Sequence, residues 1–216
     1  MLSYLNALDF FKKHVTLQKM SIIGNKTQII ALMDRKVIHS NEVVSDGVKV
    51  VSKLGFNDSF KELAKIAFLD HDIGRFKQAR FLSSYDDSKL SSYGYKNHGD
   101  LGKVVLLSGL INLQIPDTRI FDDVITNVVN DHVTKIVNRK DLLVLCSDLL
   151  KNEDANLFFM KADSVLKRKV IDTITQIVQD IDRLDIYHQI LDGRWIPSKS
   201  DMPIDYKLFD MFYQGK

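Results

Sequence analysis

The sequence is poor in residues that interrupt helices or staple small folds. Across 216 residues there are 3 prolines and 10 glycines, so long segments run without a fixed kink or reversal. The single cysteine, Cys146, excludes an intramolecular disulfide and predicts a reducing, cytoplasmic setting. Within LLVLCSDLL it reads as a small core residue. No segment approaches the length of apolar chain needed to span a bilayer as a helix, and MLSYLNALDFFKKHVTLQKM lacks the basic-then-apolar pattern of a secretory leader. Neither charge dominates. Lys plus Arg number 30 against 28 Asp plus Glu, a net charge of +2, which predicts no DNA and no membrane partner. No biased tract or tandem repeat argues for disorder or a solenoid.

What is present is an apolar fraction of 45% whose members recur mostly at three- and four-residue spacing. That pattern predicts an all-α fold, read as one helical bundle domain over 1–216 with its motif-bearing core at about 36–190. The first helix is expected over 3–14, and a second through Ile29, Ile30 and Met33. Another carries His39 with Val43, Val50 and Val51 and is closed by Gly55. Asn57, Asp58 and Ser59 offer N-cap oxygens to the next, which runs through FKELAKIAFLDHD into Ile73 and Gly74. The polar stretch 76–97 reads either as a loop over a site or as a plain surface connection. His98 opens a further helix, and Pro116-Asp117 marks the boundary before DTRIFDDVITNVVNDHV. A short helix is expected over 141–156 and a long one over 164–190, followed by a tail with Pro197 and Pro203 that returns to helix near 206–212.

Several potential metal ligands fall on inward-facing helical positions. His71 follows Ala67 and Leu63 at four-residue steps, His132 follows Val128, Ile125 and Phe121, and Asp182 follows Val178, Ile174 and Ile171. A carboxylate facing a core is costly unless it is paired or binds a metal. One inward histidine is ordinarily a hydrogen-bonded core residue; the combination is more informative. His39 stands one helix before Asp70-His71-Asp72-Ile73-Gly74, and Asp182 follows much later, so three helices supply two imidazoles and two carboxylates. Such donors suit iron, manganese, zinc, cobalt or nickel. His14 and His188 lack comparable company and are read outside the site, and Trp195 is read as packing over the bundle end.

The ordered set resembles the HD-domain superfamily, whose pattern is a histidine, a His-Asp pair and a distant aspartate, here His39, His71-Asp72 and Asp182. HDIGRF is similar to the family's HDIG variant, NHGDLG to its HGxxG helix start, VVNDHV to the segment of its later histidine, and DIDRLDIY to its closing DxLD. The resemblance covers about 36–187. It implies a bundle of about five or more helices and metal-dependent phosphohydrolase activity on a small phosphorylated, nucleotide-like molecule. It further implies that His98 and His132 complete a second site, with Asp72 bridging one or two divalent transition-metal ions. A metal-activated water needs no separate protein base. By the same resemblance Arg75 contacts the substrate phosphate, the alternative being a surface ion pair. Lys103, one turn after His98, offers a second phosphate contact or a solvated surface charge, and Lys36 and Arg35 are weaker candidates. Tyr93-Gly94-Tyr95 is not the GYP signature of the cyclic-dinucleotide branch. Two other readings remain open: a mixed-valent di-iron oxygenase with the same six ligands, and a non-catalytic module that keeps the metal for stability.

Overall fold

The computed structural model describes residues 3–22, 26–113, 124–133 and 139–191, with side chains described over 3–22, 26–109, 124–133 and 146–185. Among the described residues there are nine α-helices, one 3-10 helix and no strand. The fold class is all-α, as the spacing predicts. The helices are α1 (Tyr4–Met20), α2 (Thr27–Lys53), α3 (Asp58–Asp70), α4 (Ile73–Leu82), α5 (His98–Leu113), α6 (Thr126–Asp131), α7 (Arg139–Asn152), α8 (Ala155–Lys161) and α9 (Ser164–Leu191), with the 3-10 turn Asp87–Tyr93 between α4 and α5.

Local signals set most of the ends. The Ser3 hydroxyl accepts the Asn6 N–H, and among the three cap candidates before α3 it is Asn57 whose Oδ1 accepts the Phe60 N–H at 3.0 Å. Caps of this kind contribute about 1 kcal/mol each. Gly55 closes α2 with φ of 77°, a conformation open to glycine at little cost.

Four expectations are revised. Helix α1 continues past His14 to Met20, because no Gly or Pro interrupts that stretch. The two helices expected across 27–53 are one, since nothing between Thr27 and Gly47 breaks the hydrogen-bond ladder. Residues 73–82 of the expected helix end and irregular stretch form α4, anchored by buried Ile73, Phe76 and Ala79 on one face. The segment expected as one helix over 141–156 divides at Asp154, whose carboxylate caps α8 by accepting the Leu157 N–H. The long final helix is found over Ser164–Leu191.

Helix α3 lies at the centre. It touches α1, α2, α6, α8 and α9, and Phe60, Ile66, Ala67, Phe68 and Leu69 are fully buried. Burial of each large apolar side chain stabilises the fold by about 1.5–3 kcal/mol. Because α3 is the central rod, its C-terminal end delivers His71 and Asp72 to the interior. No helix among the described residues is long and apolar enough to cross a membrane. The Pro116-Asp117 boundary, Trp195, Pro197, Pro203, the 206–212 segment and the side chain of His188 lie outside the described residues.

Candidate metal centre

Six of the predicted ligands meet. His39 comes from α2, His71 and Asp72 from the two-residue junction between α3 and α4, His98 from the first position of α5, His132 from the residue after α6, and Asp182 from α9. Their donor atoms form two groups, His39/His71/Asp72/Asp182 and Asp72/His98/His132, with Asp72 common to both. Its two oxygens divide the work. Oδ2 lies 3.4 Å from His39 Nε2 and 3.5 Å from His71 Nε2, whereas Oδ1 lies 3.1 Å from His98 Nε2 and 3.9 Å from His132 Nε2. Asp182 Oδ1 completes the first group at 3.1 Å from His39 and 3.7 Å from His71.

The tautomers follow from the other ring nitrogens. His71 Nδ1 donates to the Phe68 carbonyl at 2.8 Å and His132 Nδ1 to the Val129 carbonyl at 2.7 Å. His39 Nδ1 meets Asp185 Oδ2 at 2.5 Å and His98 Nδ1 meets Asp87 Oδ2 at 2.7 Å. In its neutral form each of the four rings therefore carries hydrogen on Nδ1 and turns a lone pair inward on Nε2. Those atoms pair off at 3.1 Å for His39 with His71 and 3.3 Å for His98 with His132. Two facing lone pairs repel unless a proton or cation stands between them. Bonds of ~2.1 Å around one ion put neighbouring donors about 3.0–3.4 Å apart for octahedral to tetrahedral arrangement, so the donor set fits a divalent transition metal in either group.

Close helix contacts bring the second group in. A Cβ on Gly74 would lie 2.2 Å from the His98 carbonyl oxygen, and one on Gly99 would lie 2.7 Å from the Val129 carbonyl oxygen. Only glycine permits α4, α5 and α6 to approach this closely. The start of α5 is fixed by Asn97, whose Oδ1 accepts the Asp100 N–H at 3.0 Å. Gln179 on α9 donates to the His132 carbonyl at 2.8 Å and holds the end of α6.

Charge is balanced inside the site. Burial opposes ionisation of Asp72, but Lys36 and the surrounding imidazoles outweigh it and hold the carboxyl well below its ordinary range. Asp182 behaves likewise against His39 and His71. Burial and Lys36 would depress His39, yet hydrogen bonds to Asp182, Asp185 and Asp72 raise it to about 10. His71 is raised too, burial being overcome by Asp72 and Asp182. Burial dominates at His132, which is lowered. Bound metal takes the place that protons fill on these rings.

A cavity of about 260 Å³ opens beside the cluster, lined in part by Lys36, Asp72, Arg75, Gln179, Asp182 and Arg183. Arg75 is thus at the site and also paired: its Nη1 donates to Asp87 Oδ1 at 2.7 Å, the Tyr85 carbonyl at 2.8 Å and Gln78 Oε1 at 2.9 Å. Lys103 is half-buried and does not line the cavity, whereas Lys36 does and donates to Asp72 Oδ2. Sequence reasoning missed Gln179 and Arg183 in the cavity wall and the two carboxylates behind the histidines, Asp87 and Asp185. Asp185 had a usable signal, since it closes the DIDRLD segment one turn after Asp182; Asp87 had only its place among the paired aspartates of the polar stretch. Comparison of the chain with family models, with curated proteins and with solved structures returns no match.

Proposed function

We propose that the chain is an HD-type, metal-dependent phosphohydrolase acting on a phosphomonoester or phosphodiester of a small, nucleotide-like molecule. The observation that carries this reading is the shared carboxylate: Asp72 directs one oxygen to each histidine pair, beside a cavity with Lys36, Arg75 and Arg183 in its wall. A pair of divalent ions held there would lower the pKa of a water and neutralise charge on a phosphoryl oxygen.

The chain's own groups complete the device. Arg75 stands in the cavity wall with Nη1 occupied by three acceptors, while its Nε is buried 3.7 Å from Asp72 Oδ1 with no hydrogen-bond partner among the described residues. A guanidinium held in that wall is suited to a phosphate oxygen. Lys36 supplies a second positive charge on the opposite oxygen of Asp72. The neutral state favoured at His132 by burial keeps it available as a donor.

The test is metal analysis of the purified chain, followed by a screen of nucleotides, cyclic nucleotides and generic phosphoesters with manganese, cobalt, nickel, iron or zinc. Expected are bound transition metal and phosphate release that Asp182→Ala abolishes while helical content persists, and Arg75→Ala weakens mainly through KM. Absence of bound metal after reconstitution would sink the reading, and turnover that requires oxygen would replace it with the oxygenase.

A further inference from the structure

The two histidine pairs are supported unequally. In the first, His39 is held by Asp185, a carboxylate only 2% exposed on α9, and His71 by a helix carbonyl. In the second, His132 also leans on a helix carbonyl, but His98 leans on Asp87, which sits at the start of the 3-10 turn with its side chain 28% exposed. Asp87, which is not itself in either ligand group, joins a metal-site histidine to the cationic wall of the cavity. Its Oδ2 meets His98 Nδ1 at 2.7 Å, while its Oδ1 accepts from Arg75 Nη1 at 2.7 Å and from Gln78 Nε2 at 3.2 Å. The turn is tied to the bundle on its other side, where the Tyr85 hydroxyl donates to the Leu32 carbonyl at 2.9 Å and the Tyr85 ring lies 5.6 Å from the Arg75 guanidinium carbon.

We propose that Asp87 is a positioning residue that sets the orientation of His98 and Arg75 together, so that occupancy of the Asp72/His98/His132 group and binding of substrate phosphate depend on one carboxylate. This rests on the metal-centre reading above. The chemistry lies in what each oxygen accepts. Oδ2 requires hydrogen on His98 Nδ1 and thereby leaves Nε2 free as a donor atom towards Asp72 Oδ1. Oδ1 fixes Nη1 of Arg75 and so holds the guanidinium in the cavity wall, where phosphate would meet it. An amide in place of the carboxylate cannot do both. If its oxygen serves Arg75, its NH2 faces His98 Nδ1 and drives the ring to the opposite tautomer, with hydrogen on Nε2 where the metal must bind.

The experiment is titration of metal-free protein with Mn2+, followed by metal analysis and by electron paramagnetic resonance of the bound ions, with inorganic phosphate as the anion probe. The parent is expected to bind two Mn2+ with a coupled-pair signal. Asp87→Asn should keep the first ion and bind the second about 10- to 100-fold more weakly, the range found when such supporting partners are removed, so that the coupled signal gives way to that of single ions. Phosphate affinity should fall in the same variant. Asp87→Glu, which keeps charge and both acceptors, should restore the second ion to within about tenfold of the parent. Asp86→Asn perturbs the same turn, where Asp86 accepts from the Ser88 N–H and hydroxyl, and should leave two ions bound. Nitrogen-15 resonances of the assigned histidines in the unmutated protein give a measurement independent of how any variant folds. His98 should be the Nδ1–H tautomer; Nε2–H overturns the inference. So does full binding of two ions and phosphate by Asp87→Asn, or loss of the second ion in Asp86→Asn as well. A parent that binds no metal instead overturns the metal-centre reading itself.

Discussion

His14 is buried at 9% exposure on α1, and its Nε2 has no partner among the described residues. Burial, with Lys77 and Arg80 adding positive charge nearby, brings its pKa down to about 4. The unfolded chain takes up this proton near pH 6.5, so the stability His14 contributes is complete above that value and is lost as pH falls through about 4. The full loss amounts to at most about 3 kcal/mol. Urea unfolding at pH 7 and pH 4.5 should show a smaller acid penalty for His14→Gln than for the parent; equal penalties would refute it. Asp70 is the harder case. It is fully buried with both oxygens unpartnered among the described residues, and burial pushes its carboxyl well above the ordinary range, which favours the neutral acid beside the ligands. The helical spacing of His71 and Asp182 made their inward placement legible in the sequence. Asp70, one residue before His71, gave no sign of facing a different wall. Lys36, a weaker candidate by sequence, lies three residues before His39, hence on the same helix face. Asp87 was not legible, because His98 and Arg75 lie 11 and 12 residues away from it across a chain reversal.

Helix boundaries were readable where breakers or caps exist, as at Gly55 and Asn57, and were misplaced where the chain runs on without one, as in α1 and α2. Close helix approach left a clearer mark. Gly74 of HDIG and Gly99 of HGxxG are the residues whose missing Cβ lets backbones touch. Gly74→Ala must force α4 and α5 apart, since the added carbon would sit 2.2 Å from one backbone oxygen and 2.7 Å from the Gly102 nitrogen. Expected is a loss of about 1–3 kcal/mol, typical of overpacking, together with weaker occupancy of the group that contains His98. Urea unfolding and Mn2+ titration of the variant test both parts. Unchanged stability would mean that the two helices slide without cost.

Across the whole molecule the site gathers α2, the α3–α4 junction, α5, α6 and α9, and the His39–Asp185 contact alone joins positions 146 residues apart. Ions bound by such distant donors on the proposed reading would favour the folded chain over the unfolded one. At free metal 100 times the Kd the gain is ~2.7 kcal/mol per site, or about 5–10 °C in Tm for a chain of this size. Thermal unfolding with and without a chelator measures it; identical midpoints for loaded and stripped protein would show that the ions do not bind the folded chain in preference to the unfolded one. The division of Asp72 between the two groups has a last consequence. One side-chain rotamer serves both, so whichever ion arrives first freezes the carboxylate in the pose the second needs. The ordering entropy is lost once rather than twice, while repulsion between the two charges opposes the gain. The sign of the balance is visible in the loading curve: a Hill slope above one means that the common rotamer wins, and two well-separated steps mean that the charges do.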